Sequence, residues 1–163
     1  MARPVAVSDT TPLIALAWLG RLDLFPALFG VVHIPLAVHR EATYNLDAVG
    51  ADELRSANWL VIEPVTNSLA VELLLDQLDL GESEAIVLAH ELSADVLLMD
   101  ERRGRRRAMQ SGLRIIGTLG ILVEARQRKL ADPIRPMLDR LRDLPFRMSH
   151  ALYTEILQRV GEL

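Results

Sequence analysis

The sequence predicts an α/β protein with a central parallel sheet. Short apolar runs alternate along the chain with longer segments in which apolar residues recur at helical spacing. The run at residues 96–99 contains no polar residue, as expected of a strand that helices cover on both faces. Helical segments separate successive strand-like runs, and such connections join parallel strands.

Composition narrows the class of protein further. A chain of 163 residues, half apolar and a quarter charged, suits one globular domain with a sizeable core. The absence of cysteine excludes disulfides, thiolate zinc sites and cysteine nucleophiles, and fits a reducing cytoplasm. We expect no signal peptide and no membrane span, and therefore a cytoplasmic protein. The net charge of −4 gives no global basic field, yet all of the 18 basic residues except Lys129 are arginines.

The N-terminal half begins with a predicted strand at residues 4–8, directly followed by Asp9. Thr11 and Pro12 then fit the N-cap and the first position of a helix. The later elements predicted in this half are a helix at about 22–29, a strand at 31–34, a helix from Pro35, a polar and mostly helical segment at 45–57, and a strand at 59–62.

The C-terminal half continues the same alternation. Its predicted elements are helices at 68–77 and 81–92, a strand at 96–99, an arginine-rich helix at 101–111, a strand at 114–117, a helix at 118–129, and two closing helices that begin near Asp132 and at Ser149. We interpret residues 1–130 as the main domain. Residues 131–163 are interpreted as a helical C-terminal extension packed on that domain.

Four acidic residues stand where a parallel sheet would bring them together. Asp9 and Asp100 follow strands, whereas Glu41 and Glu84 lie near the starts of helices. Because parallel strands all end at the same edge of a sheet, these four segments should converge there. Carboxylates held that close repel one another unless a cation neutralises them. Oxygen ligands without histidine or cysteine favour a hard ion, Mg²⁺ or Mn²⁺.

Each acid also has a purely structural interpretation. With Gly81 as the N-cap of its helix, Glu84 would be the third helical residue, where a carboxylate completes a capping box. Asp100 could cap the helix that follows it, and Glu41 could be solvated on a frayed helix. Asp9 is hardest to explain in this way, because Thr11 already fits the N-cap of the first helix.

The residues around these acids suggest further roles. Thr10 and Thr11 are predicted to orient a ligand or a metal-bound water. Five arginines follow Asp100 within seven positions, and they either form a solvated helix face or bind a phosphodiester backbone. The arginines predicted to contact such a backbone are Arg102, Arg103, Arg105 and Arg106.

With these residues in place, the chain resembles a PIN domain. The matching segments are residues 5–14, Glu41, residues 81–89 and residues 97–101. The chain is more closely similar to small prokaryotic PIN proteins grouped with VapC-type toxins, in the branch known as DUF3368. The Gly-Glu-Ser-Glu-Ala-Ile block and the Thr-Leu-Gly triplet at 118–120 also suit that branch, and the resemblance covers about residues 4–130.

The resemblance implies a PIN-like α/β/α sandwich, Mg²⁺ or Mn²⁺ as cofactor and RNA as substrate. It also implies a homodimer that a small antitoxin protein inhibits. Carried over by position, the metal-site acids are Asp9, Glu41, Glu84 and Asp100. Glu84 is preferred to Glu82 because an Ala-Ile-x-x-Ala pattern follows it, and Glu101 remains an alternative to Asp100.

The predicted function is therefore that of a divalent-metal-dependent endoribonuclease, the toxin of a VapBC-like toxin–antitoxin pair. The alternative is a catalytically inactive PIN-like module that binds nucleic acid or another protein. A phosphoacceptor receiver domain also has a parallel sheet with acids at its edge. That class usually needs paired acids after the first strand, where Asp9 stands alone.

Overall fold

A computed structural model describes residues 3–163, and its centre is a five-stranded sheet. The strands are β1 (Ala6–Ser8), β2 (Val32–Pro35), β3 (Leu60–Glu63), β4 (Val96–Leu98) and β5 (Ile115–Ile116). Their order across the sheet is β3-β2-β1-β4-β5, and every neighbouring pair is parallel. The predicted α/β class with a parallel sheet is confirmed.

Helices occupy most of the remaining chain. They are α1 (Thr10–Trp18), α2 (Leu24–Phe29), α3 (Leu36–Thr43), α4 (Ala51–Ser56), α5 (Ser68–Leu74), α6 (Leu80–Glu91), α7 (Arg102–Gln110), α8 (Thr118–Gln127), α9 (Arg135–Arg142) and α10 (His150–Val160). Among the described residues, no helix is both long and apolar enough to cross a lipid bilayer.

Two sets of helices flank the sheet in an α/β/α arrangement. Helix α6 packs on β1, β2 and β4 and contacts α5 and α7, whereas α8 contacts α1, α2 and α10. The central strands are accordingly covered on both faces, and Ala6, Val7, Leu97 and Leu98 have no exposed surface. This burial explains why β4 reads as an unbroken apolar run instead of an alternating one.

The strand order creates a switch point between β1 and β4. The chain runs outward from β1 through β2 to β3, then returns to the other side of β1 for β4 and β5. The backbone N–H of Asp9 donates to the carbonyl of Leu98 over 2.8 Å, so the ends of β1 and β4 lie side by side. Open α/β sheets bind their ligands beyond the strand ends at such a point.

Two helices begin earlier than the sequence predicts. Helix α1 begins at Thr10, so Asp9 and not Thr11 is its N-cap. Helix α6 begins at Leu80, and its N-cap is Asp79, whose side chain accepts a 2.8 Å hydrogen bond from the backbone of Glu82. The predicted cap at residue 81 was wrong because glycine has no side chain to accept that bond, whereas aspartate does.

The C-terminal helices are attached to α8 through Glu162. Its carboxylate accepts hydrogen bonds from the Arg126 side chain at 3.0 Å and from the backbone N–H groups of Ile134 and Arg135 at 2.9 and 2.8 Å. One carboxylate thus joins α8, the start of α9 and the end of α10. The division into 1–130 and 131–163 stays a prediction, and residues 1–2 lie outside the described part of the chain.

Candidate functional site

Asp9 is a buried carboxylate at the switch point of the sheet. It is only 4% exposed, and its side chain makes no capping hydrogen bond to α1. Burial raises the pKa of Asp9 to about 7; the backbone N–H of Thr10 opposes this rise, and the charges of Asp79, Glu41 and Asp100 add to it. None of the ion pairs formed by the described residues includes Asp9. Its strongest charged neighbours are therefore other acids.

Glu41 reaches the same edge from α3. Although the residue is exposed, its carboxylate accepts a 2.7 Å hydrogen bond from the hydroxyl of Thr10. The carboxylate also lies against Gly81 at the start of α6, where a Cβ atom would be 2.5 Å from Oε1 of Glu41. Glycine at position 81 is thus what allows α6 and the Glu41 side chain to approach each other. Thr10 thus orients the Glu41 carboxylate, whereas Thr11 is exposed, and the predicted role of both threonines in orienting a ligand or a metal-bound water stays a prediction.

Asp79 caps the start of α6, and Glu82, three residues later, belongs to the acidic group. Burial raises the pKa of Glu82 to about 8; the hydrogen bond and charge of Asp79 and the charges of Asp9 and Glu101 raise it further. At neutral pH, without a cation, this shift favours a protonated Glu82 beside Asp79. Sequence reasoning left Glu82 open and missed Asp79, although the Asp-x-x-Glu spacing of a capping box was visible.

Glu84 makes a different contact. Its Oε2 accepts a 3.2 Å hydrogen bond from the backbone N–H of Ala37 in the first turn of α3. A carboxylate at that position satisfies a free N–H group and interacts favourably with the helix dipole. Glu84 is not among the acids whose charges most raise the pKa values of Asp9 and Glu82. The ligand role predicted for Glu84 stays a prediction, and the contact seen in the structure is a structural one.

Asp100 follows β4, on the opposite side of Asp9 from Glu41, and Thr118 fixes its carboxylate. Its Oδ1 accepts from the Thr118 backbone at 2.8 Å and its Oδ2 accepts from the Thr118 hydroxyl at 2.6 Å. Burial raises the pKa of Asp100, against the hydrogen bonds of Thr118 and the charge of Arg105. Asp100 does not cap α7, whose N-cap is Glu101; it accepts instead from the first backbone N–H of α8, the helix whose N-cap is Gly117. Sequence reasoning missed this pairing because the two residues are 18 positions apart.

The four arginines of α7 predicted to bind RNA divide into two groups. Arg105 is half-buried and donates to the carbonyl of Met99 over 3.0 Å, so it supports the turn that carries Asp100. Arg102, Arg103 and Arg106 are exposed on the same helix. The structure therefore leaves these three side chains accessible to an anionic partner, and their predicted contact with RNA stays a prediction.

The donor set suits a hard cation, but its coordination sphere is not preformed. The carboxylates of Asp9, Glu41, Glu82 and Asp100 offer only oxygen ligands, which are those that Mg²⁺ and Mn²⁺ prefer. Within the part of the chain that the structure describes, no three acidic or histidine side chains are already arranged to hold a metal ion. Shared coordination of one ion by these carboxylates would therefore require their side chains to rotate.

Comparison with known protein families agrees with this architecture. A family model described as "DUF3368: PIN domain" matches residues 5–162, including the C-terminal helices. No curated protein matches the chain. PIN domains are generally nucleases that use divalent metals and act on nucleic acids, so the match indicates a function of the nuclease type. Since the match spans nearly the whole sequence, the chain belongs to the DUF3368 family of PIN domains.

Proposed function

We propose that this protein is a divalent-metal-dependent endoribonuclease. The observation that carries the proposal is the burial of Asp9 beside other acids at the switch point of the sheet, where burial and these charges hold its pKa near 7. Keeping an ionised carboxylate there is costly unless a cation neutralises it. A fold that retains such an arrangement is suited to bind a divalent ion.

The residues proposed to hold Mg²⁺ or Mn²⁺ are Asp9, Glu41, Glu82 and Asp100. When bound, the ion supplies an activated water and stabilises charge on a phosphodiester. Thr10 would position Glu41 through its hydrogen bond, and Thr118 would position Asp100. The exposed arginines of α7 would hold the RNA backbone next to the acids.

The biological role proposed for the protein is more specific than the reaction it is proposed to catalyse. We propose, from the family resemblance, that the chain is the toxin of a VapBC-like pair, a cytoplasmic homodimer inhibited by a small antitoxin. A neighbouring reading frame that encodes a small, partly disordered protein would support this assignment. Its absence would favour a solitary nuclease.

The non-catalytic alternative has one observation in its favour. Because no three ligands are preformed among the described residues, the fold could have kept the acids without metal affinity. Calorimetric titration of the metal-free protein with Mn²⁺ separates the two proposals. The nuclease proposal expects saturable binding and, with single-stranded RNA, cleavage that EDTA stops and added Mn²⁺ restores. Weak binding with no cleavage would favour the inactive module.

Gly81→Ala tests whether the position of Glu41 matters. The added methyl group would lie 2.5 Å from Oε1 of Glu41, so this flexible side chain must move away. We expect Mn²⁺ affinity and cleavage to fall about tenfold or more, the range seen when residues that orient metal ligands are altered. Alanine is a better helix former than glycine, so the melting temperature should not fall.

The control for this variant is Gly120→Ala, which introduces the same methyl group within α8. There the new Cβ atom would meet the side chain of Ile116, at 2.8 Å, and no acid. This variant can lose stability but should keep its Mn²⁺ affinity. Unchanged Mn²⁺ affinity and cleavage in Gly81→Ala would show that the Glu41 carboxylate does not hold the ion.

A further inference from the structure

A cavity adjoins the acidic cluster on the side of Glu41. It has a volume of about 290 Å³ and lies between α1, the end of α3 and the segment that leads to α4. Glu41 contributes to its wall, so one residue belongs to both the cavity and the acidic cluster. The cavity walls are otherwise mainly apolar, and include Ile14 and Val49.

Two aromatic side chains and an amide line this cavity. They are Trp18, which is half-buried, Tyr44, which is 84% exposed, and Asn45. Aromatics make up only 4% of the sequence, so two of them in one small cavity is a notable concentration. An exposed tyrosine of this kind makes little contribution to the core. It does present a free ring face next to a side chain that can both donate and accept hydrogen bonds.

We propose that this cavity binds one unpaired base of the RNA substrate. Aromatic rings stack on nucleobases with little regard to sequence, and an amide can bond to a base edge. The inference rests on the proposed function, because the occupant is a base next to the phosphodiester that would be cut. It adds to that function a binding site for one base on the Glu41 side of the acids.

The strand order supports a continuous path for the RNA. Glu41 lies on the helix after β2, and Asp100 and the arginines of α7 follow β4, so they flank Asp9 from opposite sides. A strand whose base occupies the cavity would pass its backbone over the acids and reach the arginine side chains of α7. A protein partner inserting an apolar side chain would use the cavity but would not need the arginines beyond the acids.

Binding measurements on the full chain in EDTA test the proposal without cleavage. Fluorescence anisotropy compares a labelled single-stranded RNA pentamer with wild type, Tyr44→Phe and Tyr44→Ala. We expect Tyr44→Ala to bind about tenfold more weakly, the effect of losing one stacked base, and Tyr44→Phe to bind nearly as wild type. The salt dependence of binding should be the same in all three proteins, because no phosphate contact is lost.

A second measurement places the base in the cavity directly. In a Trp59→Phe background Trp18 is the only tryptophan, and phenylalanine can keep the stacked contact that Trp59 makes with Phe25. Saturation with the pentamer should quench Trp18 emission, whereas an abasic pentamer with the same phosphates should not. Equal affinity of Tyr44→Ala and wild type, or equal quenching by both pentamers, would overturn the proposal. Loss of cleavage in Asp9→Asn alongside either result would leave the nuclease proposal standing.

Insertion of a protein side chain is the remaining outcome. If RNA leaves Trp18 emission unchanged while a co-expressed protein from the neighbouring reading frame quenches it, the cavity is a protein-binding site and the base proposal is wrong. If the pentamer quenches Trp18 but wild type cleaves no RNA with Mn²⁺, the cavity proposal stands and the nuclease proposal fails.

Discussion

Replacing Asp9 by asparagine is expected to lower RNA cleavage by about a thousandfold while making the metal-free protein more stable. Asparagine is nearly the same size as aspartate but carries no charge, so it weakens the proposed cation site without leaving a cavity. The expected decrease in rate corresponds to about 4 kcal/mol of transition-state stabilisation, which is lost with the metal ligand. An increase in stability would distinguish this residue from one that serves only to hold the fold.

The expected gain in stability depends on pH, and its sign follows from the pKa of Asp9. Folding raises that pKa from 3.8 to about 7, so the folded state holds the proton more tightly than the unfolded state. In wild type the free energy of unfolding therefore falls as the pH rises from about 4 to about 7, and stays low above that range. The full difference corresponds to an upper limit of about 4 kcal/mol.

Thermal unfolding in EDTA at pH 5 and pH 8 measures this effect. We expect Asp9→Asn to exceed wild type in melting temperature by about 5 °C or more at pH 8, and by clearly less at pH 5. Asp76→Asn, at an exposed position on the segment after α5, is the matched control and should match wild type at both pH values. With Mn²⁺ present, wild type should gain stability and Asp9→Asn should not.

Two results would contradict the interpretation of Asp9. A lower melting temperature for Asp9→Asn at pH 8 would mean that the ionised carboxylate stabilises the fold, as a helix cap does. Equal cleavage by wild type and variant preparations of matched purity would assign the activity to a contaminant. The first result concerns the electrostatics of the site and the second concerns its chemistry, so each can occur without the other.

The convergence of Asp9 and Asp100 could be predicted from sequence because it depends only on the sheet. Two apolar runs that each end in an acid, in a chain of alternating strands and helices, place those acids at one edge whatever the details of packing. The contact between Asp100 and Thr118 could not be predicted in this way. It depends on the length of α7 and on the turn before α8. The periodic spacing of apolar residues predicts neither of these.

The choice between Glu82 and Glu84 as a ligand depends on where α6 begins. Starting α6 at Gly81 made Glu84 the capping-box residue, whereas the observed cap at Asp79 gives that position to Glu82. Two residues along a helix are about 200° apart around its axis, so Glu82 and Glu84 face different neighbours. Only the packing of α6 on α3 and α7 decides which one meets the acids.

Exchanging each of these glutamates for glutamine is expected to give opposite results. Glu82→Gln should lower cleavage by about a hundredfold or more, because it removes a proposed ligand from the ion. Its melting temperature in EDTA at pH 7 should stay close to that of wild type. The reason is that Glu82, with a pKa of about 8, is already mostly neutral there, and glutamine can also donate a hydrogen bond to Asp79.

Glu84→Gln should leave cleavage within about threefold of wild type, because its carbonyl oxygen can still accept the hydrogen bond from Ala37. It should lower stability by about 0.5 to 1 kcal/mol, through the weaker interaction of a neutral group with the start of α3. Both variants are measured with the same RNA, at the same Mn²⁺ concentration, and by urea unfolding. If Glu84→Gln is inactive and Glu82→Gln is active, Glu84 and not Glu82 holds the ion. The assignment of Glu84 made from the sequence would then be correct.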